Sequence, residues 1–119
     1  MLLIAKITVL AIALLHLYIL ILEMFLWDKP AGKKAFGHQD EFAKLTKVLA
    51  ANQGLYNGFL SAGLFWSLVS VNFVSLAYFF LGCIAIAGIF GAITASKKIL
   101  FFQTVPALIA IFFITVSGA

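Results

Sequence analysis

The chain of 119 residues contains no arginine, one cysteine and four acidic side chains, and no charged residue lies between Lys47 and Lys97. A hydrophobic share of 65% with so few charges excludes an ordinary soluble domain, which could not bury that much apolar surface. The single Cys83 excludes a disulfide framework and a CxxC redox motif. The chain also lacks the GxGxxG, P-loop and serine-elbow motifs.

The apolar runs are long enough to cross a bilayer four times, since a hydrocarbon core of about 30 Å needs about 20 helical residues. We therefore predict an all-α integral membrane protein, a four-helix up-down bundle formed by a single transmembrane domain, 1–119. The predicted spans cover residues 2–27, 44–66, 73–95 and 99–116. The first run is longer than the apolar core of a signal peptide and lacks a cleavage site before Trp27, so we expect it to remain as a span.

The lysines predict the orientation. They surround the first loop, 28–43, and fill the third, 96–98. By the positive-inside rule both loops are cytoplasmic and both termini lie outside the cell membrane. An alternative role for Lys33 and Lys34 is binding a phosphate or an anionic lipid headgroup. Orientation is the commoner role, and lysines against a membrane surface give no support to nucleic-acid binding.

Glu23 lies in the first predicted span, where a carboxylate is costly to hold charged. His16 precedes it by seven residues, two helical turns, and therefore shares its face. An ionisable pair on one face of a membrane helix is a functional-site hypothesis by default. Glu23 and His16 are accordingly the candidate catalytic residues.

A cluster of polar side chains interrupts the second predicted span. Asn52, Gln53, Tyr56 and Asn57 fall within six residues. Because an unpaired amide in hydrocarbon costs several kcal/mol, we expect these amides to face the bundle interior. Counting about 1.5 Å per residue from the cytoplasmic ends brings Glu23, the amides and Gln103 to similar depths. This predicts a polar chamber open to the cytoplasm that ends at His16, with His16, Glu23, Asn52, Gln53, Tyr56, Asn57 and Gln103 as ligand-binding residues.

Structural explanations compete with this hypothesis. Each amide alone is better explained as interhelical glue, and His16 alone as a histidine satisfied by one hydrogen bond. Glu23 could instead pair with Lys47 or reach the interface. One histidine and one glutamate are too few ligands for a transition metal, and His38 lies in the loop, so we predict no metal site. The residues indicate no particular cofactor.

Two stripes of small residues repeat every fourth position. One is formed by Ala50, Gly54, Gly58 and Ala62, the other by Cys83, Ala87, Gly91 and Ala95. Such stripes let helix backbones approach closely in lipid. They pack either within one chain or between subunits, and we expect a homo-oligomer, a dimer or a trimer.

The sequence from Asn52 to Gly58, with His16-Leu17-Tyr18, Glu23 to Trp27 and Gln103 to Ala107, resembles a family of small bacterial four-span membrane proteins of unknown function. The resemblance covers nearly the whole chain and implies no activity. A weaker resemblance, through Asn52 and Tyr56, is to the membrane-associated eicosanoid and glutathione metabolism superfamily. It implies only four spans and possible trimers, since that family holds glutathione with arginines and this chain has none.

Three functions remain open at this point. The leading hypothesis is that a small amphipathic molecule or lipid binds in the chamber, either as a ligand or as a substrate, with Glu23 as acceptor or base. The second is a proton-coupled exporter, because the chain is similar to small multidrug exporters in length, span number and one glutamate in the first helix. The third is a structural subunit that assembles through the small-residue stripes.

Overall fold

A computed structural model describes all 119 residues, Met1–Ala119, and the chain folds into helices joined by short connections, with no strand. The helices are α1 (Leu2–Met24), α2 (Pro30–Phe36), α3 (Asp40–Val69), α4 (Phe73–Thr94) and α5 (Val105–Ser117), with a π-helical segment at Leu100–Thr104 that leads into α5. The predicted all-α class is confirmed.

Three helical stretches are long and apolar enough to cross a membrane: Leu2–Met24, Phe73–Thr94 and Leu100–Ser117. They support a membrane location. α3 contains the predicted second span, 44–66, but is not one of the three. Its lysines and its amide cluster lower its apolar content, although its 30 residues are ample in length. The four-span topology therefore stays a prediction.

The chain divides into two compact units. The central unit is Leu14–Ser61, and the flanking unit is Met1–Ala13 together with Ala62–Ala119. α1 and α3 each contribute residues to both units.

Within the central unit, α1 and α3 run antiparallel at close range. A Cβ at Gly54 would lie 2.6 Å from Met24 Cγ and 3.0 Å from Glu23 Cβ, and one at Gly58 would lie 2.6 Å from Leu20 Cδ1. The later glycine of α3, Gly58, contacts the earlier residue of α1, Leu20, so the two helices run in opposite directions. Two members of the first small-residue stripe thus pack within one chain, where their missing side chains let the helices approach.

The segment between α1 and α3 is more ordered than the predicted loop. α1 ends at Met24, three residues before the predicted limit, and α2 follows from Pro30. Pro30 suits the first helical turn, and Gly37 ends α2 in the left-handed conformation with φ +70°. A Cβ at Gly32 would lie 2.0 Å from the Leu26 carbonyl oxygen, so only glycine allows this approach of α2.

In the flanking unit, α4 packs antiparallel to the π-helical segment and α5. Tyr78 near the start of α4 hydrogen-bonds Thr115 near the end of α5, at 2.8 Å. At the other end, Gly88 lies so close to Thr104 that a Cβ would meet Thr104 N at 2.7 Å. Gly88 is one position away from the predicted stripe, whose members Ala87 and Ala95 are exposed.

The π-helical segment ends at Thr104, two residues before Pro106. A proline lacks the N–H that would bond the carbonyl one turn earlier, so a widened turn at this point accommodates it. The helix therefore changes type locally just before this proline.

Candidate functional site

His16 and Glu23 lie on one buried stripe of α1. His16 is 0% exposed and Glu23 is 7% exposed, and Val9 and Ile12 continue the stripe toward the start of the helix. The predicted shared face is therefore confirmed. At about 1.5 Å per residue, the seven positions from His16 to Glu23 correspond to about 10 Å along the helix.

Glu23 is held by an amide from α3. Asn57 Nδ2 donates to Glu23 Oε1 at 2.6 Å, and the same group contacts the Gln53 carbonyl oxygen at 3.2 Å. Asn57 is 4% exposed, so both partners of this bond are buried. Glu23 Oε2 has no hydrogen-bond partner in the protein and is not one of the enclosed unpaired polar atoms, so it reaches the molecular surface. The arrangement therefore leaves one acceptor oxygen of a buried carboxylate available.

The close approach at Gly54 makes this bond possible. Gly54 is one turn before Asn57 on α3, and its missing side chain brings α3 against Met24 and Glu23 on α1. A short amide side chain can then reach the carboxylate directly. The small-residue stripe and the polar pair are thus parts of one local arrangement.

Lys47 does not pair with Glu23, as one alternative had it. Lys47 Nζ donates to Asp28 Oδ2 at 3.0 Å. That hydrogen bond lowers the pKa of Asp28 below the ordinary value of 3.8, with the charges of Lys47 and Lys29 acting in the same direction. The partner of the Glu23 carboxylate is therefore neutral.

Three of the predicted site residues do not face the interior. Asn52, Gln53 and Tyr56 are exposed on the chain, with Tyr56 55% exposed. Asn52 Nδ2 donates to the Val48 carbonyl oxygen four residues back on its own helix, at 2.9 Å. Because a helix can satisfy an asparagine in this way, an amide there does not require an interior partner.

Gln103 belongs to the flanking unit and is half-buried in the π-helical segment. Its neighbour Thr104 is buried, and Thr104 Oγ1 donates to the Ala85 carbonyl oxygen at 2.8 Å. The predicted place of Gln103 in the chamber stays a prediction.

An aromatic cluster beyond the end of α1 was missed by sequence reasoning. It consists of Trp27, Phe36, His38 and Phe42, and the rings of Trp27 and His38 are 4.1 Å apart. His38 Nε2 donates to the Trp27 carbonyl oxygen at 2.9 Å, and Trp27 Nε1 donates to Thr46 Oγ1 at 3.0 Å. The cluster covers the chain just past Glu23. The sequence feature that could have indicated this cluster is the presence of four ring-bearing side chains in the polar segment 27–42.

The structure brings together no group of three histidine, cysteine or carboxylate side chains that could hold a metal ion. The chemistry of the Glu23–Asn57 pair is that of hydrogen-bond acceptance and proton exchange. A carboxylate oxygen accepts from a cationic or neutral donor, and the asparagine fixes the orientation of the carboxyl group.

These features define a class: a small all-helical protein with three helices suited to a membrane and a buried carboxylate–amide pair near the end of the first. Within that class, the chain belongs to the family described as "Protein of unknown function (DUF1304)", whose model matches residues 10–115. The predicted resemblance to a family of unknown function is confirmed.

The chain is also similar to "Uncharacterized protein YpaA" of Lactococcus lactis subsp. lactis (strain IL1403). The two are 31% identical over 113 residues, which cover 87% of this chain and 92% of the relative. No solved structure matches the chain. The resemblance to the eicosanoid and glutathione superfamily stays a prediction.

Proposed function

We propose that the chain is an integral membrane protein that crosses the bilayer four times and binds a small amphipathic molecule at Glu23 and Asn57. The head group of this molecule donates a hydrogen bond to Glu23 Oε2. The proposal rests on one observation: Glu23 is buried, with only one of its two oxygens hydrogen-bonded by the protein. A carboxyl oxygen without a hydrogen-bond partner at membrane depth gains free energy when a donor reaches it.

The roles of the two pair members differ. Glu23 is the acceptor and, in any chemical step, the general base. Asn57 orients its carboxyl group and keeps Oε1 occupied. His16 is fully buried and precedes Glu23 by about two turns of α1, and it is the candidate partner in proton exchange.

The ligand chemistry follows from the surroundings. Neither of the two salt bridges of the chain involves Glu23, since they join Lys47 to Asp28 and Lys33 to Asp40. A cationic head group, such as a primary amine, therefore meets an uncompensated carboxylate. The half-buried apolar side chains of Ile19 and Leu20 lie about one turn before Glu23 on the same side of α1, and they suit an alkyl tail.

The test is binding of dodecylamine to the protein in lipid nanodiscs, measured by calorimetry. We expect Glu23→Gln to weaken binding about tenfold or more, because a charge-assisted hydrogen bond contributes about 1.5–3 kcal/mol. The matched control is Glu41→Gln, the same change at an exposed carboxylate in the first turn of α3. Equal affinities for the wild-type protein and Glu23→Gln would overturn the proposal.

A second candidate function is proton-coupled export through Glu23. The neutral partner Asn57 supports it, because a carboxyl group held by an amide can release and regain its proton without breaking an ion pair. Proteoliposomes with an imposed pH gradient separate the two functions. Dodecylamine-driven proton flux that Glu23→Gln abolishes would favour export, and binding without flux would favour the first proposal.

A further inference from the structure

The flanking unit carries positive charge with no acidic side chain to balance it. All four acidic residues of the chain lie between positions 23 and 41, inside the central unit. The charged side chains of the flanking unit are Lys6, Lys97 and Lys98. No acidic side chain of this unit is therefore available to pair with these lysines.

One of these lysines lines a cavity of about 440 Å³. Volumes of about 300–1,000 Å³ are typical of small-molecule sites. The walls include the polar side chains of Lys6, Ser70, Asn72 and Ser75 and the apolar side chains of Leu2 and Phe73. The cavity thus combines hydrogen-bond donors with apolar surface.

Lys6 has no ion-pair partner. It takes part in neither of the two salt bridges of the chain, and its Nζ lies 5.2 Å from the centroid of the Phe73 ring. Lys6 follows the first turn of α1, and that turn contains no acidic residue. An anion in the cavity would supply the counter-charge that Lys6 lacks within the protein.

Two helices begin at the cavity wall and add to the positive potential. α1 begins at Leu2 and α4 at Phe73, and neither has an acidic residue in its first turn. Asn72 precedes α4 without a side-chain capping bond. The first N–H groups of α4 therefore keep their hydrogen-bonding capacity.

We propose that this cavity binds a phosphate-type anionic group through Lys6, with Leu2 and Phe73 in contact with the remainder of an amphiphile. An anionic phospholipid headgroup and free phosphate share this chemistry. The apolar walls favour the lipid as the source. The lining of this cavity does not include Glu23, so the proposal does not depend on the function proposed for Glu23.

The test measures phosphatidylglycerol bound to the detergent-solubilised protein by native mass spectrometry, with phosphatidylcholine as the reference lipid. We expect Lys6→Gln to weaken phosphatidylglycerol binding about tenfold and Lys6→Arg to retain it. Lys98→Gln is the matched control, because Lys98 is a lysine of the same unit that does not line the cavity. Equal loss in Lys6→Gln and Lys98→Gln would overturn the proposal, since it would mean that net charge alone attracts the lipid.

Asn72→Asp separates binding from folding. Aspartate is as good a helix N-cap as asparagine, so the variant should fold, yet it puts a negative charge into the cavity. We expect it to reject phosphatidylglycerol, and unchanged binding would overturn the proposal. Competition by inorganic phosphate would identify free phosphate as a second source, lack of competition would identify the lipid, and the absence of binding to both would overturn the proposal.

Discussion

The two units use the same packing device for different purposes. In the central unit, Gly54 brings α3 against α1, and Asn57 one turn later bonds the Glu23 carboxylate. In the flanking unit, Gly88 brings α4 against the π-helical segment, and Thr104 bonds the Ala85 carbonyl oxygen. Each unit therefore pairs a glycine contact with one buried polar bond.

The two units differ in the group that accepts the buried hydrogen bond. The Ala85 carbonyl belongs to the backbone of a helix, and the Thr104 bond to it is interhelical glue. The Glu23 carboxyl group is an ionisable side chain with one oxygen that the protein does not hydrogen-bond. The Thr104 bond satisfies a backbone carbonyl and leaves no group for a ligand. The Glu23–Asn57 pair, in contrast, leaves one carboxyl oxygen that can accept a hydrogen bond from a ligand or bind a proton.

The largest expected effect comes from filling the glycine contact of the flanking unit. In Gly88→Ala the new Cβ would meet Thr104 Oγ1 at 2.1 Å and Thr104 N at 2.7 Å, and a backbone atom cannot move aside cheaply. We expect a loss of about 2–3 kcal/mol in the free energy of unfolding, measured by denaturant titration in detergent. The matched control is Gly82→Ala on the same helix, where no atom lies within 4 Å. It should gain up to about 1 kcal/mol from helix propensity.

Gly54→Ala extends this test to the central unit. Its nearest obstacle is Met24 Cγ at 2.6 Å, the middle of a flexible side chain, so the loss should be smaller than for Gly88→Ala. A larger loss for Gly54→Ala would contradict the view that the backbone contact is the tighter one.

Removing the amide partner of Glu23 should have the next largest effect. Asn57→Leu leaves a buried carboxylate without its hydrogen bond, which we expect to cost about 2 kcal/mol of unfolding free energy. Asn52→Leu is the matched control, because Asn52 is exposed and bonds only its own helix. It should change stability by less than about 0.5 kcal/mol.

The double variant Glu23→Leu with Asn57→Leu completes the cycle. Replacing both partners of a buried hydrogen bond with apolar groups can be nearly neutral, so much of the loss should be recovered. Additive losses in the double variant would show that the two side chains do not depend on each other.

Thr104→Val should have a smaller effect than Asn57→Leu. It removes one bond to a backbone carbonyl and keeps the shape of the side chain, and interhelical bonds of this kind contribute about 0.6 kcal/mol on average. The measurement is the same denaturant titration. If Thr104→Val lowered the free energy of unfolding as much as Asn57→Leu does, the Glu23–Asn57 bond would not differ energetically from an ordinary interhelical hydrogen bond.

The sequence carried enough information for the helical class and for the shared face of His16 and Glu23, because helical periodicity alone places those residues. It could not select Asn57 from its cluster, since the rotation of α3 depends on how Gly54 and Gly58 pack on α1. Helical spacing also could not show that Asn52 would bond its own backbone.

The aromatic cluster was out of reach for a related reason. It depends on α2 approaching the end of α1 at Gly32, a contact between backbones that side-chain patterns do not encode.

The smallest effect concerns pH and the segment that follows α1. Hydrogen bonds from Lys47 and Lys33 lower the pKa of Asp28 and of Asp40 below the ordinary 3.8. The stabilisation from these pairs is therefore fully present above the ordinary pKa and is lost as the pH falls through the lowered values. We expect Lys47→Gln to return the pKa of Asp28 toward 3.8 in an NMR titration. Lys34→Gln, which removes a lysine that pairs with neither aspartate, should leave the pKa of Asp28 low.

The central claim is that Glu23 offers a carboxylate oxygen to a ligand while Asn57 holds the other. The most direct measurement is the infrared difference spectrum of the protein in nanodiscs on addition of dodecylamine. The account predicts a carboxyl band that shifts on addition, is absent in Glu23→Gln and persists in Glu41→Gln. A spectrum that is the same in the wild-type protein and in Glu23→Gln would contradict it.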